Sequence, residues 1–237
     1  MIKGFNLKPP FFELGPKAYL YGAKLLELAR FADNLCVKYN VQIIITPQCA
    51  DIPLIARETS HVLVFAQHID ALKIGRGIGS ILPEAVKEAG AVGALLNHVE
   101  KKLTLPEIEQ TIRRADEVGL ATMVCADNLQ EAVAIAKMSP NVLLVESPSQ
   151  IEAGKREIND PFEIENINQT IWEINPEILV LHGGGISSGR DVYNIIKSGA
   201  QATGSTSGVI LAVDPQAKLE EMISAMRQAW DEIHSKE

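Results

Sequence analysis

The chain alternates eight times between short apolar runs rich in Val and Ile and longer segments of helical period. Such runs are typical of parallel strands that are covered on both faces, because both sides of each strand must then be apolar. Parallel strands also need a crossover between successive members, and the helical segments supply it. Eight successive strand–helix units therefore predict an α/β protein with a parallel sheet.

The boundaries of these units follow from the apolar runs and the turn residues between them. The predicted strands are Ile2 to Leu7, Val41 to Pro47, Val62 to Gln67, Val92 to Asn97, Ala121 to Ala126, Val142 to Glu146, Ile178 to His182 and Ala202 to Thr206. The predicted helices are Lys17 to Tyr39, Cys49 to Glu58, Leu82 to Ala89, Leu105 to Val118, Leu129 to Lys137, Glu163 to Ile174, Asp191 to Ser198 and Pro215 to His234. The stretch from Lys8 to Lys17 is predicted to be an enlarged loop.

Local signals support these boundaries. Thr104 and Glu107 have the spacing of a capping box, and Ser188 and Asp191 form its acidic counterpart. Eight right-handed strand–helix units close naturally into a (β/α)₈ barrel of eight parallel strands with eight surrounding helices. An open, doubly wound sheet is the main alternative. The length of 237 residues predicts a single domain over residues 1–237.

Composition excludes several classes of function. A net charge of −8 argues against nucleic-acid binding, which needs clustered Lys and Arg. The three cysteines form no CxxC pair, so no zinc ribbon or disulfide framework is indicated. The chain has no apolar stretch long enough to cross a bilayer and no secretion signal at its start. We therefore expect a cytoplasmic protein that binds neither nucleic acid nor membrane.

The residues that could carry chemistry follow the predicted strands, since active sites of such barrels lie at the carboxyl ends of the strands. Glu146 follows the apolar sixth strand, where burial would raise the pKa of its carboxyl group and favour its use as a general base. His98 follows the fourth strand and could donate from a neutral ring. Lys8 follows the predicted first strand and could hold an anion. Each has an ordinary alternative, as a solvated glutamate, a packed histidine or a surface lysine.

Glycine-rich turns follow the last two strands, at Gly183, Gly184 and Gly185 and at Ser207 and Gly208. Their backbone N–H groups could approach a phosphate closely. A base, a neutral electrophile, a cation and a phosphate cradle together favour proton abstraction beside a carbonyl, for which no cofactor is needed. A metal site formed by His68, His98 and His182 is also conceivable, but the usual accompanying ligands are missing, so no metal is predicted.

These residues resemble those of the triosephosphate isomerase family, especially its shorter archaeal form, over nearly the whole chain. The matching stretches are Phe65 to Asp70, Leu82 to Gly93, Leu95 to His98, Met123 to Cys125, Val145–Glu146, Gly185 to Ser187 and Ser207–Gly208. The resemblance implies a TIM barrel that isomerises a small phosphorylated sugar without a cofactor and forms a homo-oligomer, a dimer or tetramer.

The resemblance also implies roles for individual residues. Glu146 is implied as the base, His98 as the electrophile, and Asn6 and Lys8 as substrate-binding groups. Glu100 is implied to support the network around Lys8. In this family a glutamate base acts beside a neutral histidine, so the protonation states expected for Glu146 and His98 are also part of what the resemblance implies.

Four departures leave the substrate open. The lid that should follow Glu146 and give an N–H to phosphate at Ile151 contains Glu152, whose charge would repel a phosphate. Val99 and Ile78 replace a usual serine and a usual threonine, and the first loop is long. Triose phosphate is the first expectation for the substrate. Another small sugar phosphate, such as a tetrose phosphate, and a catalytically impaired barrel with a binding role are the alternatives.

Overall fold

The computed structural model describes residues 1–146 and 161–235. In this part of the chain, eight parallel strands close into a barrel in which each strand pairs with its sequence neighbours and the first pairs with the last. The strands are β1 (Phe11–Leu14), β2 (Gln42–Ile45), β3 (Leu63–Ala66), β4 (Gly93–Leu96), β5 (Ala121–Ala126), β6 (Val142–Val145), β7 (Leu179–His182) and β8 (Ala202–Ser205). The predicted (β/α)₈ barrel is confirmed, and the open sheet is excluded.

Helices cover the outside of the barrel, apart from one short helix after β8 whose first residue, Ser207, lines the cavity at the carboxyl end. They are α1 (Gly22–Tyr39), α2 (Ile52–Glu58), α3 (Pro83–Glu88), α4 (Leu105–Val118), α5 (Leu129–Ala136), α6 (Pro161–Ile174), α7 (Gly189–Lys197), α8 (Ser207–Ile210) and α9 (Pro215–His234), with a 3-10 turn at Cys49–Asp51. Both predicted capping boxes are present, at Thr104 with Glu107 and at Ser188 with Asp191. Apart from the first strand and the start of α1, the predicted boundaries agree with the structure to within about three residues, the usual uncertainty of element ends.

The core has two layers because side chains alternate between the two faces of each strand. Side chains that point inward fill the barrel, among them Phe11, Ile44, Phe65 and Met123. Those that point outward pack against the helices in a larger cluster. Both faces of most strands are therefore apolar, as the continuous hydrophobic runs predicted, whereas β1 and β8 carry the polar residues Glu13, Thr203 and Ser205.

The prediction of the first strand at Ile2 to Leu7 was wrong. Phe11–Leu14 pairs with both β2 and β8 and is fully buried. The two prolines before it suggested a loop, but they precede the strand and so remove no hydrogen bond from its ladders. Phe5 instead packs its ring against Phe65, with 5.9 Å between ring centroids.

The start of the first helix was also predicted too early, at Lys17 instead of Gly22. Lys17 has a φ of 47°, in the left-handed region, which a helix cannot accommodate. Residues Lys17 to Tyr21 form a connection that follows β1 at the carboxyl end of the barrel. Because β1 ends at Leu14 and α1 begins at Gly22, Lys17 lies at the carboxyl end of the barrel, where active sites are found.

Candidate active site

A cavity of about 590 Å³ opens at the carboxyl ends of the strands. Its lining contains three acidic residues, two basic ones and two histidines, together with the glycine turns after β7. They are Glu13, Lys17, His68, His98, Glu100, Lys101, Glu146, Gly183, Gly184 and Gly185. Ionisable groups that converge in one concave site of this size define the candidate active site.

The predicted base and electrophile lie together in this cavity. The Nε2 atom of His98 is 3.7 Å from Oε1 of Glu146, and both side chains are largely buried, with 16% and 11% exposure. Each comes from the carboxyl end of its own strand, β4 for His98 and β6 for Glu146. The two groups are thus close enough to act on adjacent atoms of one small ligand.

A hydrogen bond from the backbone of Glu100 determines which ring nitrogen of His98 carries the proton. The backbone N–H of Glu100 donates to Nδ1 of His98 over 3.2 Å, so Nδ1 is an acceptor and carries no proton. Burial lowers the pKa of His98, and the positive charge of Lys17 lowers it further. The ring is therefore neutral near pH 7, and its Nε2–H points to the side of the ring where Glu146 lies.

Asn97 holds the backbone that carries His98. Its φ is 59°, a left-handed conformation that asparagine tolerates better than most residues. Its side-chain amide donates to the backbone oxygen of Cys125 and to Glu131, and its oxygen accepts from the N–H of Leu103. Three hydrogen bonds of 2.9 Å from a side chain that is 1% exposed make Asn97 a fixed support for the histidine. Sequence reasoning placed Asn97 at the end of its strand but gave it no role.

Lys17 is one of the two lysines that line the cavity. Its Nζ lies 2.7 Å from Oε1 of Glu100, and this pairing lowers the pKa of the Glu100 carboxyl group. The side-chain amides of Gln48 and Gln67 donate to the backbone oxygen of Lys17 over 3.3 Å and 2.9 Å. Glu100 therefore pairs with a lysine, as predicted, but this lysine is Lys17 and not Lys8.

The placement predicted for Lys8 and Asn6 is corrected by the structure. Gln42, the first residue of β2, accepts from the N–H of Lys8 and donates to the backbone oxygen of Asn6. Both residues therefore lie at the amino end of the barrel, opposite the cavity. The error follows directly from the misassigned first strand. Reading the buried run Phe11–Leu14 as the strand would have indicated Lys17.

Glu13 is a cavity residue that sequence reasoning missed. It lies on β1, is 9% exposed, and its Oε1 accepts a hydrogen bond of 2.9 Å from the Thr46 hydroxyl. Burial raises the pKa of its carboxyl group to about 7, with a further contribution from the charge of Glu146. A charged residue inside a continuous apolar run, Phe-Phe-Glu-Leu, was the signal that could have identified it.

The glycine turns lie where a phosphate cradle was predicted. Gly183, Gly184, Gly185 and Ser207 line the cavity, whereas Gly208 borders the adjoining surface depression. A side chain at position 183 would place its Cβ 2.7 Å from Oε2 of Glu146, so the carboxyl group could keep its position only beside a glycine. Ile151 and Glu152, with the rest of the predicted lid from Ser147 to Lys155, lie outside the described residues.

The three histidines of the alternative metal site do not converge. His68 and His98 line the cavity, but His182 is fully buried and its Nε2 lies 2.8 Å from Oδ1 of Asn168 on α6. Because α6 packs outside the barrel, the His182 ring points away from the cavity. Among the described residues, no cluster of three His, Cys, Asp or Glu side chains could hold a metal ion.

A closed (β/α)₈ barrel with a glutamate, a neutral histidine and a lysine around one cavity defines a class of proton-transferring barrel enzymes. The model of the triosephosphate isomerase family matches residues 17–212, a range that begins at Lys17. The chain belongs to the triosephosphate isomerase family.

Relatives that carry this name span nearly the same length. Triosephosphate isomerase of Methanobacterium bryantii is 41% identical over 218 residues, which cover 91% of this chain and 96% of that protein. The enzyme of Sulfurisphaera tokodaii is 35% identical over 229 residues, which cover 95% and 99%. The crystal structure of triosephosphate isomerase from Bartonella henselae matches with a TM-score of 0.76 over 93% of this chain and 100% of that chain. At 12% identity the last match supports the fold alone.

Proposed function

We propose that this protein interconverts glyceraldehyde 3-phosphate and dihydroxyacetone phosphate by proton transfer through an enediolate. The observation that carries the proposal is the distance of 3.7 Å between Nε2 of a neutral His98 and the Glu146 carboxylate in one cavity. Relatives named triosephosphate isomerase at 33–41% identity support the choice of substrate.

In this mechanism Glu146 removes the proton from the carbon beside the carbonyl. The electron pair of that C–H bond forms the C=C bond of the enediolate, and the carbonyl π electrons move to oxygen. The Nε2–H of His98 donates to that oxygen as its negative charge develops, and Lys17 stabilises the same charge. His98 gives its Nε2 proton to the charged oxygen and takes up the proton of the neighbouring hydroxyl in its place. Protonated Glu146 then returns its proton to the former carbonyl carbon while the C=C electron pair forms that C–H bond, and the deprotonated neighbouring oxygen becomes the new carbonyl.

The phosphate group is assigned to the turns after β7 and β8. Gly184 and Gly185 have φ values of 86° and 70° and line the cavity with Ser207. Their backbone N–H groups supply donors without a net charge, and Lys17 supplies the positive charge that a phosphate needs. Gly208 and Ile151 are retained as predicted contacts.

A coupled assay of purified protein with glyceraldehyde 3-phosphate tests the proposal. The variant Glu146→Gln should lose at least about a thousandfold in kcat, because it removes the base while keeping the side-chain shape. Glu163→Gln, at an exposed position on α6, is the matched control and should retain activity. Turnover of Glu146→Gln equal to that of the unchanged protein would rule out this base.

A tetrose phosphate is the second candidate substrate. The carboxyl group of Glu13 is a polar group in the cavity that could bind an additional hydroxyl. The same assay with four-carbon aldose and ketose phosphates decides between the two. A kcat/KM for a tetrose phosphate more than about tenfold above that for the triose would replace the first proposal.

We also propose that the protein is a homo-oligomer of two or four copies. Ile74 and Ile78 are 77% and 108% exposed at the tip of the loop after β3, and isolated copies would leave both side chains in water. Light scattering after gel filtration gives the number of copies, and the double variant Ile74→Asp with Ile78→Asp should reduce it. A cytoplasmic location stays a prediction; none of the helices in the described residues is long and apolar enough to cross a membrane.

A further inference from the structure

The feature that carries a further inference is the carboxyl group of Glu13, one of three in the cavity lining. Glu13 enters the cavity from β1, and Glu146 enters it from the end of β6. The proposed mechanism uses Glu146 and leaves Glu13 without a task. A carboxyl group that is nine-tenths buried is costly to maintain unless its oxygens are hydrogen-bonded or it is protonated.

The two oxygens of Glu13 have different surroundings. Oε1 accepts from the Thr46 hydroxyl, whereas Oε2 has no hydrogen bond to any residue that the structure describes. Gly15 and Gly204 flank the carboxyl group, and a Cβ at either position would come within 2.8 Å and 2.9 Å of its oxygens. The backbone therefore leaves room for this carboxyl group and keeps Oε2 available to a ligand in the cavity.

We propose that Glu13 acts as a neutral carboxylic acid that donates a hydrogen bond from Oε2 to a substrate oxygen, beside the donors His98 and Lys17. This inference rests on the proposed isomerase function. It gives the two carboxyl groups opposite tasks, with Glu146 ionised as the base and Glu13 protonated as a donor. The role carried over to Asn6 from the family resemblance, a neutral side-chain contact to substrate, is then performed by Glu13.

The charges around Glu13 are consistent with this assignment. Glu146 and the Cys125 thiol face it from β6 and β5, the Thr46 hydroxyl from β2, and the Lys17 ammonium from the loop after β1. Burial and the charge of Glu146 both raise the pKa of Glu13, and Thr46 and Lys17 lower it only in part. Because the two carboxyl groups repel each other when both are charged, ionisation of Glu146 favours the protonated form of Glu13.

The first test compares the pH dependence of kcat/KM for the unchanged protein and Glu13→Gln. Glutamine keeps a side-chain donor at every pH but cannot ionise. The unchanged protein should lose about tenfold in kcat/KM for each pH unit above the pKa of Glu13, whereas Glu13→Gln should show no such fall. The ionisation of the substrate phosphate is common to both proteins and cancels in the comparison. Identical pH profiles would overturn the proposal.

A second test is independent of turnover. The infrared carbonyl band of a protonated carboxyl group should be present at about pH 6, below the pKa of Glu13, and absent from Glu13→Gln. In Glu146→Gln the band should remain but titrate at lower pH, because the repulsion from the second carboxylate is removed. If the band is lost in Glu146→Gln and retained in Glu13→Gln, the proton is on Glu146 and the proposal is overturned.

Binding of 2-phosphoglycolate, measured by calorimetry, separates the two proposals. If no sugar phosphate is turned over, the proposed function fails. The role of Glu13 is then tested by binding alone. If Glu13 contacts the ligand, the affinity of the unchanged protein for this anion should fall above the pKa of Glu13, and that of Glu13→Gln should not. An affinity with the same pH dependence in both proteins, or no binding to either, would overturn the contact between Glu13 and the ligand.

Discussion

The Nζ atom of Lys17 lies 2.7 Å from Oε1 of Glu100, so a residue from the loop after β1 is held by one from the loop after β4. This ion pair is partly exposed, with 23% of the Lys17 side chain and 61% of the Glu100 side chain accessible, so its contribution to stability is small. Its effect is to hold the lysine at the mouth of the cavity, near His98.

Replacing Lys17 and Lys8 in turn should therefore show which of the two lysines contributes to catalysis. Lys17→Met should lower kcat/KM by at least about a hundredfold, because it removes the cation that stabilises the developing oxyanion. Lys8→Met is the matched control and should leave activity unchanged, since Lys8 is exposed at the other end of the barrel. Steady-state kinetics of both variants check this. A loss confined to Lys8→Met would contradict the assignment of the cation.

The close approach of Gly183 to Glu146 gives a second prediction. Gly183→Ala would place a Cβ 2.7 Å from Oε2 of Glu146 and displace the carboxylate. A displacement of about 1 Å costs about a hundredfold in rate, and we expect the loss in kcat more than in KM. Thermal unfolding should show a retained fold. An unchanged kcat would contradict the prediction that the position of the Glu146 carboxylate limits the rate.

The raised pKa of Glu13 predicts a pH-dependent stability. In the folded protein this pKa is about 7, against an ordinary value of 4.5, so the folded state binds more protons than the unfolded state between these values. The free energy of unfolding should therefore fall as pH rises from 4.5 through 7, by up to about 3 kcal/mol from this group. Glu13→Gln should lack this contribution and gain stability relative to the unchanged protein at about pH 8, above both pKa values. Urea unfolding at about pH 5 and about pH 8 measures the difference, and an equal gain at both values would exclude titration of Glu13 as the cause.

The capping box of α4 gives a prediction outside the cavity. The Thr104 hydroxyl accepts from the N–H of Glu107, and the Glu107 carboxylate accepts from the N–H of Thr104. Thr104→Ala should lower the free energy of unfolding by about 1 kcal/mol, whereas Thr104→Ser keeps the cap and should cost less. Urea unfolding checks both, and kcat should not change, since Thr104 lies outside the cavity lining.

The sequence predicted most of the barrel because each element has its own local signal. Ala121–Ala126 and Leu105–Val118 were predicted with the bounds that the structure shows, since one is a continuous buried strand and the other is capped and amphipathic. The prediction of a strand at Ile2 to Leu7 failed because the three apolar side chains of this segment, Ile2, Phe5 and Leu7, cover the end of the barrel instead of entering its wall. That residues 1–237 form one domain stays a prediction.

Some residues of the candidate site were likewise predicted from the sequence and others were missed. Glu146, His98 and the glycine turns after β7 were predicted, because each directly follows a strand that was correctly assigned. Lys17 and Glu13 were missed because their positions depend on where β1 begins. Their strand was not identified, so their location in the barrel stayed unknown.

The sequence by itself determined the barrel, seven of its eight strands and the positions of Glu146 and His98 after two of those strands, because the hydrophobic period is a local property of the chain. Only the tertiary structure decided that Lys17 and Glu13 enter the cavity. The first strand is selected by its pairing with both β2 and β8, which requires closure of the whole barrel. The raised pKa of Glu13 likewise arises from burial and from Glu146, which the chain brings near only when it folds.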